Sequence, residues 1–448
     1  MTRKTSKRRL VSGSATRAHK LAKVADLEDV TPADLEEAVK RIRGYARPYQ
    51  AALVRSEQSR HLLEMVEGLT SDLERKSVEP IAIMHGVPRR PLQRFVGDDG
   101  WDCVPLREQL WSEVSAEIGV ADGALVIDGS STPKKGTETV GAGRQWCGRL
   151  GKTDNCVVGV YAAYVGKNEL AALVGAELFL PEAWTSDRER RAAAYIPPEV
   201  VYRTQPEIGV AIVNDLASKL PFEWVLADDE FGRTQHFRDA VAAAGKSYVL
   251  DVPQNTVVRR VNRWGRVGDK KWNVKKLVRS RPVADWARFH VRDGEKGPIE
   301  KRAMMLPVAT CREDAPAENR WVHETLVVIE ELDGSQRWYC LAKAKPGTTL
   351  LELVRRASQR HRVEETFEET KGEIGLDHFE VRAWHGWYHH MTLVQLSHWF
   401  LVRERRRLAK KNSGCHSEPD PDGDRPAPVT ASDTAPSCGT PQLPAPTE

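Results

Sequence analysis

The chain of 448 residues is short of the features that place a protein in a class at once. Its seven cysteines are scattered without a CxxC pair, and no Cys/His group has the spacing of a zinc site. A disulfide framework and a structural zinc are therefore not expected, and the thiols read as reduced ones of a cytosolic protein. No stretch approaches the roughly 18 apolar residues of a membrane span, and the basic start is not followed by the apolar run of a signal peptide. The expectation is a soluble, intracellular protein with no membrane partner. There is no internal repeat, and a net charge of +4 says little by itself.

The distribution of charge says more. Before Asp26 stand Arg3, Lys4, Lys7, Arg8, Arg9, Arg17, Lys20 and Lys23 with no acid between them, which reads either as a nucleic-acid arm or as a solvated, disordered start over 1–26. Apolar residues at three-to-four spacing, such as Leu35, Val39 and Ile42, then Leu62, Leu63, Val66 and Leu69, predict a helical domain over 27–115. Within it Ser77–Val96 reads as helix, Gly86 turn, basic helix, a pattern that enters a DNA groove or simply packs as a helix pair. From 116 to 252 strands dominate: Ala124–Asp128, Cys156–Val165 and Leu170–Leu180 come first. A helix near Ile208–Leu220, a strand ending at Asp228, a helix over Gln235–Ala244 and the strand Tyr248–Val252 follow. Three strands and then helix–strand alternation predict an α/β fold with a mixed sheet covered by helices, the order of a ribonuclease-H-like core. A β-rich insertion is expected over 253–345, with strands at Arg302–Thr310, Trp321–Ile329 and Arg337–Ala342. The core resumes over 346–410 with helices at Leu350–Thr370 and Tyr388–Arg407. Residues 411–448 are Pro/Ser/Asp-rich with few large apolar side chains and read as disordered.

Two aspartates close apolar strands, Leu125-Val-Ile-Asp128 and Trp224-Val-Leu-Ala-Asp228. Side chains alternate along a strand, so each aspartate is expected at its strand's exposed end, with Gly129 letting the chain turn away after Asp128. Alone, either residue reads equally as a turn-former or a helix cap. On a helical wheel of roughly 100° per residue, Arg360, Glu364 and Lys371 fall within about 40° of one another, on the side of Val363 and Phe367. A glutamate on an inward face needs charge or metal to compensate it. Metal binding and a salt bridge to Arg360 or Lys371 both satisfy that need, and the spacing leaves them open. Carboxylates on two strands and a late helix suit a hard divalent cation such as Mg²⁺.

Four ordered elements carry a resemblance. They are Leu-Val-Ile-Asp128-Gly-Ser-Ser-Thr-Pro-Lys134-Lys135-Gly, Arg144-Gln-Trp-Cys-Gly-Arg-Leu-Gly-Lys-Thr-Asp-Asn-Cys156, Val-Leu-Ala-Asp228-Asp-Glu-Phe-Gly, and the run from Arg360 to His378 containing Arg-x3-Glu364-x6-Lys371. In this order the chain resembles the DDE transposases of bacterial insertion sequences, from roughly Val78 to Phe400. It departs from their signature at one place, where Ala357 stands at the tyrosine position. The resemblance implies a DNA endonuclease and strand transferase with Asp128, Asp228 and Glu364 as catalytic metal ligands for two Mg²⁺ ions, Mn²⁺ substituting. Asp128 would bridge both ions. It further implies DNA contacts by Arg360, Lys371, Lys134, Lys135 and Arg144, transposon-end and target DNA as partners, a homodimer on DNA, and a nucleoid-associated place in the bacterial cytoplasm.

A second basic region supports contact with DNA. Val258–Arg281 holds ten basic residues, among them Arg259, Arg260, Arg263, Lys270 and Lys271, against the single acid Asp269, with Trp264 and Trp272 interleaved. Such cations neutralise phosphates, and indoles either stack on an unpaired base or fill a local core. Two other classes accommodate part of this pattern: a host-adopted DNA-binding regulator with a silent site, and a two-carboxylate glycosidase, which needs neither metal nor a basic stripe.

Overall fold

In the computed structural model, residues 32–294, 297–312 and 315–413 are described. The basic arm expected over 1–26 lies outside the described residues, as do residues 414–448 of the expected tail; residues 411–413 instead complete the last helix, Trp384–Ser413. The chain divides into two compact units. One holds the described residues up to Tyr45 together with those from Phe400 onward. Arg41 fastens it with a two-pronged ion pair to Glu404, Nε donating at 2.9 Å and Nη2 at 2.6 Å.

The other unit, Ala46–Trp399, carries everything that follows. Its helical part includes α1 (Ser56–Thr70), α2 (Val78–His85), α3 (Arg89–Gly97) and α4 (Val104–Ile118). Gly86 ends α2 with φ +64°, a left-handed conformation that glycine adopts without a Cβ penalty. The expected helix–turn–helix therefore forms: Leu92, Phe95 and Val96 of α3 are buried, and Arg89, Arg90 and Arg94 face solvent.

The sheet follows from β1 (Ala124–Pro133), β2 (Gly143–Cys147), β3 (Lys152–Val165), β4 (Ala171–Phe179), β5 (Trp224–Ala227) and β6 (Ser247–Asp251). β1 pairs antiparallel with β3 and parallel with β5, β5 pairs parallel with β6, and β4 flanks β3. That is the ribonuclease-H-like order β4-β3-β1-β5-β6. Leu125, Val126 and Ile127 of β1 are fully buried, as a strand covered on both faces requires.

The β-rich region adds β7 (Val257–Val261), β8 (Val267–Asn273), β9 (Ala287–Gly294), β10 (Gly297–Cys311), β11 (Trp321–Glu331) and β12 (Arg337–Lys343). It does not form a sheet of its own. β12 pairs antiparallel with β6, so the order β6-β12-β11-β10-β7-β8 extends the core sheet directly, with β9 on β10. Three of these strands, β7 to β9, were not expected, because their charged side chains hide the alternation that marks a half-buried strand. The edge strand β2 escaped because it is five residues long and exposes Trp146 in place of a polar side chain.

One expected helix is broken. In place of a helix over Leu350–Thr370 there are α5 (Leu350–Gln359) and α6 (His361–Glu369), joined at Arg360 and followed by a π turn at Thr370–Ile374. Tight bonds from Arg360 N to Ala357 O and from Val363 N to Arg360 O mark the junction. Gly375 closes the π turn with φ +76°, and buried His390 donates from Nε2 to its carbonyl at 3.1 Å. Burial pushes the His390 imidazole down to about 4.

A histidine held neutral in the fold must gain a proton on unfolding wherever pH lies between its folded and unfolded values. His390 therefore contributes stability that is full above about pH 6.5 and is lost as pH falls toward 4. We predict that the urea-unfolding free energy of the wild type relative to His390→Gln falls by about 2 kcal/mol between pH 7 and pH 5. Parallel pH profiles for the two proteins would remove His390 from the linkage.

Candidate active site

The site forms where three neighbouring strands each carry an acid directly after an apolar run. The parallel pairing of β1 with β5 stops at Ile127↔Ala227, so Asp128 and Asp228 follow side by side. The pairing of β5 with β6 stops at Ala227↔Leu250, which sets Asp251 next in the row. Asp128 does not, as expected, end its strand. β1 continues to Pro133 because β3 keeps pairing with it, Asp128 opposite Tyr161, so Gly129 makes no turn. Asp228 does end β5, and its carboxylate caps the short helix Asp229–Gly232 by accepting from Glu230 N at 3.0 Å.

Crowding acids into partly dry space has a visible electrostatic cost. Burial, then the neighbouring Asp228 charge, pushes Asp128 up to about 7, against the Arg360 guanidinium and the Gly129 N–H that donates to it at 2.7 Å. Burial likewise raises Asp228 to about 6, against its capping bond from Glu230. Asp251 is raised by burial too, with Arg360 opposing. In each case burial outweighs the nearby positive charge and the hydrogen bonds that favour the ionised form.

Arg360 supplies part of that charge. From the break between α5 and α6 its Nε reaches Asp251 Oδ2 at 3.0 Å and its Nη1 reaches Glu364 Oε1 at 3.0 Å. Glu364 also meets His361 Nδ1 at 3.2 Å, and its side chain is 47% exposed. The expected inward stripe is therefore corrected. Val363, Thr366 and Phe367 are the buried row of α6, Phe367 meeting Tyr161 edge-on at 5.3 Å, while Glu364 sits on the flank. The buried row of this helix is centred roughly 100° round the wheel from Glu364, so the stripe through Arg360, Glu364 and Lys371 marks a flank and not the inward face. Lys371 is half-buried in that turn, its Nζ 5.3 Å from the Phe367 ring, and burial lowers its pKa.

Among the described residues no three His, Cys, Asp or Glu side chains converge as a ready metal cluster. Asp128 and Asp228 are paired by register, and Glu364 is held by Arg360 and His361. The donor set nevertheless suits a hard divalent cation: all oxygen, partly desolvated, and mutually repelling until a cation arrives.

The other expected contacts divide. Lys135 and Arg144 are exposed, whereas Lys134 turns inward, donating to Phe379 O at 2.7 Å with its ammonium 3.5 Å from the Phe379 ring. Burial lowers it to about 8. On the β7–β8 hairpin Arg260, Arg263, Lys270 and Lys271 face solvent, and Arg259 donates to the carbonyls of Gly268 and Asp269. Trp264 at the hairpin tip is 70% exposed beneath Arg263, at 4.1 Å. Trp272 instead packs on the core built by Val258, Val274 and Leu277. Sequence reasoning missed Asp251, although Tyr248-Val-Leu-Asp251 repeats the pattern of Leu125-Val-Ile-Asp128.

Comparison with known proteins agrees with this geometry. The chain is 29% identical over 236 residues to the probable transposase for insertion sequence element IS701 of Microchaete diplosiphon, a match covering 51% of this chain and 58% of that protein. The match thus spans a little over half of the relative's length. Residues 48–304, which include Asp128, Asp228 and Asp251, match the family described as DDE superfamily endonuclease. Together with the ribonuclease-H-like sheet, that match places this chain in the DDE superfamily endonucleases.

Proposed function

We propose that this protein is a transposase that cuts DNA at the ends of an insertion sequence and joins them to target DNA in a metal-dependent reaction. The observation that carries this reading is Asp128 and Asp228 following side by side where the parallel β1–β5 pairing stops, both raised by burial and by a neighbouring aspartate. Asp128, Asp228 and Glu364 would hold two Mg²⁺ ions, for which Mn²⁺ could substitute, and Glu364 would give up its contact with Arg360 to do so. When bound, the ions lower the pKa of a water or a DNA 3′-hydroxyl and stabilise the leaving oxygen. Arg360 and Lys371 hold phosphate oxygens at the scissile position, where a fixed cation offsets charge that grows in the transition state.

The remaining basic surfaces act as DNA grips in this reading. Arg89, Arg90 and Arg94 on the exposed side of α3 contact the element's end. Arg260, Arg263, Lys270 and Lys271 follow the backbone along the β7–β8 hairpin, and Trp264 at its tip stacks on an unpaired base. Residues 27–115 thus serve end recognition, 116–252 and 346–410 the chemistry, and 253–345 the grip. The reaction takes place on the bacterial nucleoid, with two copies of the chain assembled on DNA.

Asp128→Asn and Asp228→Asn should each reduce Mg²⁺-dependent cleavage of an end duplex by at least about 10³-fold while end binding stays within a few-fold, since affinity rests on phosphate contacts. Chelation of the wild type should have the same effect. Single-turnover cleavage beside gel-shift titration checks this, and a variant that still cleaves loses its place in the site.

Glu364→Gln keeps volume and hydrogen-bonding shape but removes charge. It should be as inactive as the aspartate variants, whereas Glu368→Gln, one turn on and exposed, should cleave normally. The opposite pattern would move the third ligand to Glu368.

Reversing Arg260, Arg263, Lys270 and Lys271 to glutamate should weaken DNA binding without sequence preference. The slope of log K against log salt should flatten by about 0.9 for each phosphate that the hairpin no longer neutralises. An unchanged slope would make the hairpin a solvated face.

A further inference from the structure

Asp251 belongs to no part of the machinery described so far, yet it is the best-tied acid in the row. Its Oδ1 accepts from Cys340 Sγ at 3.2 Å, and its Oδ2 forms an ion pair with Arg360 Nε at 3.0 Å. The first partner arrives by register, because the antiparallel pairing of β12 with β6 sets Cys340 opposite Asp251. The second arrives from the break between α5 and α6. With each oxygen engaged by a different element, the carboxylate has little freedom to rotate.

The backbone beneath it is equally confined. Gly232 closes the short helix capped by Asp228, and a Cβ added there would lie 1.9 Å from the carbonyl oxygen of Asp251. Only a glycine lets the Asp228 turn lie against the end of β6, so Asp228 and Asp251 keep one spacing. From this fixed base the contacts run in series: Cys340 to Asp251, Asp251 to the Nε edge of Arg360, and the Nη1 end of Arg360 to Glu364 at 3.0 Å. The planar guanidinium offers donors in a rigid fork, so fixing one edge also aims the other.

We propose that Asp251 is a positioning residue: it anchors Arg360 so that the guanidinium presents Glu364 to the Asp128–Asp228 pair and stays in place when Glu364 leaves it. This rests on the transposase reading above. Asp251 itself is not a ligand, since one of its oxygens accepts from Cys340 and the other is ion-paired with Arg360. Its action is entropic and directional. Glu364 is half exposed on the flank of α6, and a side chain with that freedom reaches one productive geometry only at a cost in rotamer entropy. A held Arg360 limits that search and spares the guanidinium a second one when Glu364 moves.

The test is a double-mutant cycle on the full chain, read at saturating Mg²⁺ and end DNA as single-turnover cleavage. Asp251→Asn should cleave roughly 10- to 100-fold more slowly, the scale of one charge-assisted hydrogen bond, with end binding unchanged. In an Arg360→Lys background the same change should cost less than about twofold, because a residue that acts through Arg360 has nothing left to act through. A role in folding alone would give effects that multiply. Cys340→Ala, which frees Oδ1 without altering charge, should slow cleavage by a few-fold and covers the case in which Asp251→Asn folds poorly.

Binding of Mn²⁺ alone, followed by loss of the free-ion paramagnetic signal, gives a readout apart from activity. Asp251→Asn should bind more weakly by about tenfold, the loss of one well-placed ligand, and Asp128→Asn should lose binding altogether. Rates for Asp251→Asn within twofold of the wild type, or multiplying effects in the cycle, overturn the positioning role while leaving the transposase reading intact. A wild type that neither binds Mn²⁺ nor cleaves DNA overturns both.

Discussion

Three aspartates share the carboxyl end of this sheet by strand register, and Arg360 offsets part of their repulsion. The parallel pairings of β1 with β5 and of β5 with β6 stop in step, so an acid after each apolar run is delivered to the same place whether or not the charges agree. Two unit charges 4 Å apart in a partly dry protein environment repel by about 4 kcal/mol. The chain meets that repulsion in two ways. It holds Asp128 and Asp228 well above ordinary carboxylate values, and it breaks a helix at Arg360 to bring a guanidinium to Asp251 and Glu364. The residual deficit of positive charge is what makes the pair attractive to a divalent cation.

The continuous sheet extends that constraint outward. Because β12 hydrogen-bonds to β6, the region between the second aspartate and the glutamate is built onto the edge of the catalytic sheet. Its attachment is reinforced by a buried cluster in which Glu324 of β11 takes Arg238 Nε at 2.9 Å and Tyr248 Oη at 2.6 Å. A buried ion pair adds little net stability, but removing one partner is costly, so it favours one arrangement over others. The hairpin bearing Trp264 and its exposed cations is thereby carried on the same hydrogen-bonded sheet as Asp128 and Asp228.

Much of this was legible in the chain itself. The run Leu-Val-Ile-Asp128 announced a buried strand with an acid, and the order of strands and helices over Ala124–Val252 specified a ribonuclease-H-like core. The Gly86 turn between two helices was readable because only a left-handed residue continues the chain there. What the sequence concealed was pattern: β7, β8 and β9 carry too many charged side chains to show alternation, β2 is short and turns Trp146 outward, and their strand character comes from partners across the sheet. The fate of individual lysines and tryptophans was hidden for a related reason. Lys134 and Lys135 are neighbours of one type, yet one packs on Phe379 and the other meets solvent.

Local sequence thus determined which residues are acids at the ends of apolar runs and that a late helical segment supplies Arg360, Glu364 and Lys371. Tertiary structure decided which of these acids meet. Asp251 joins Asp128 and Asp228 only through strand register, a long-range pairing that no local pattern encodes. Glu364 lies on the flank because the sheet takes the row Val363, Thr366 and Phe367 of the same helix, and which row a helix buries is decided by what packs against it.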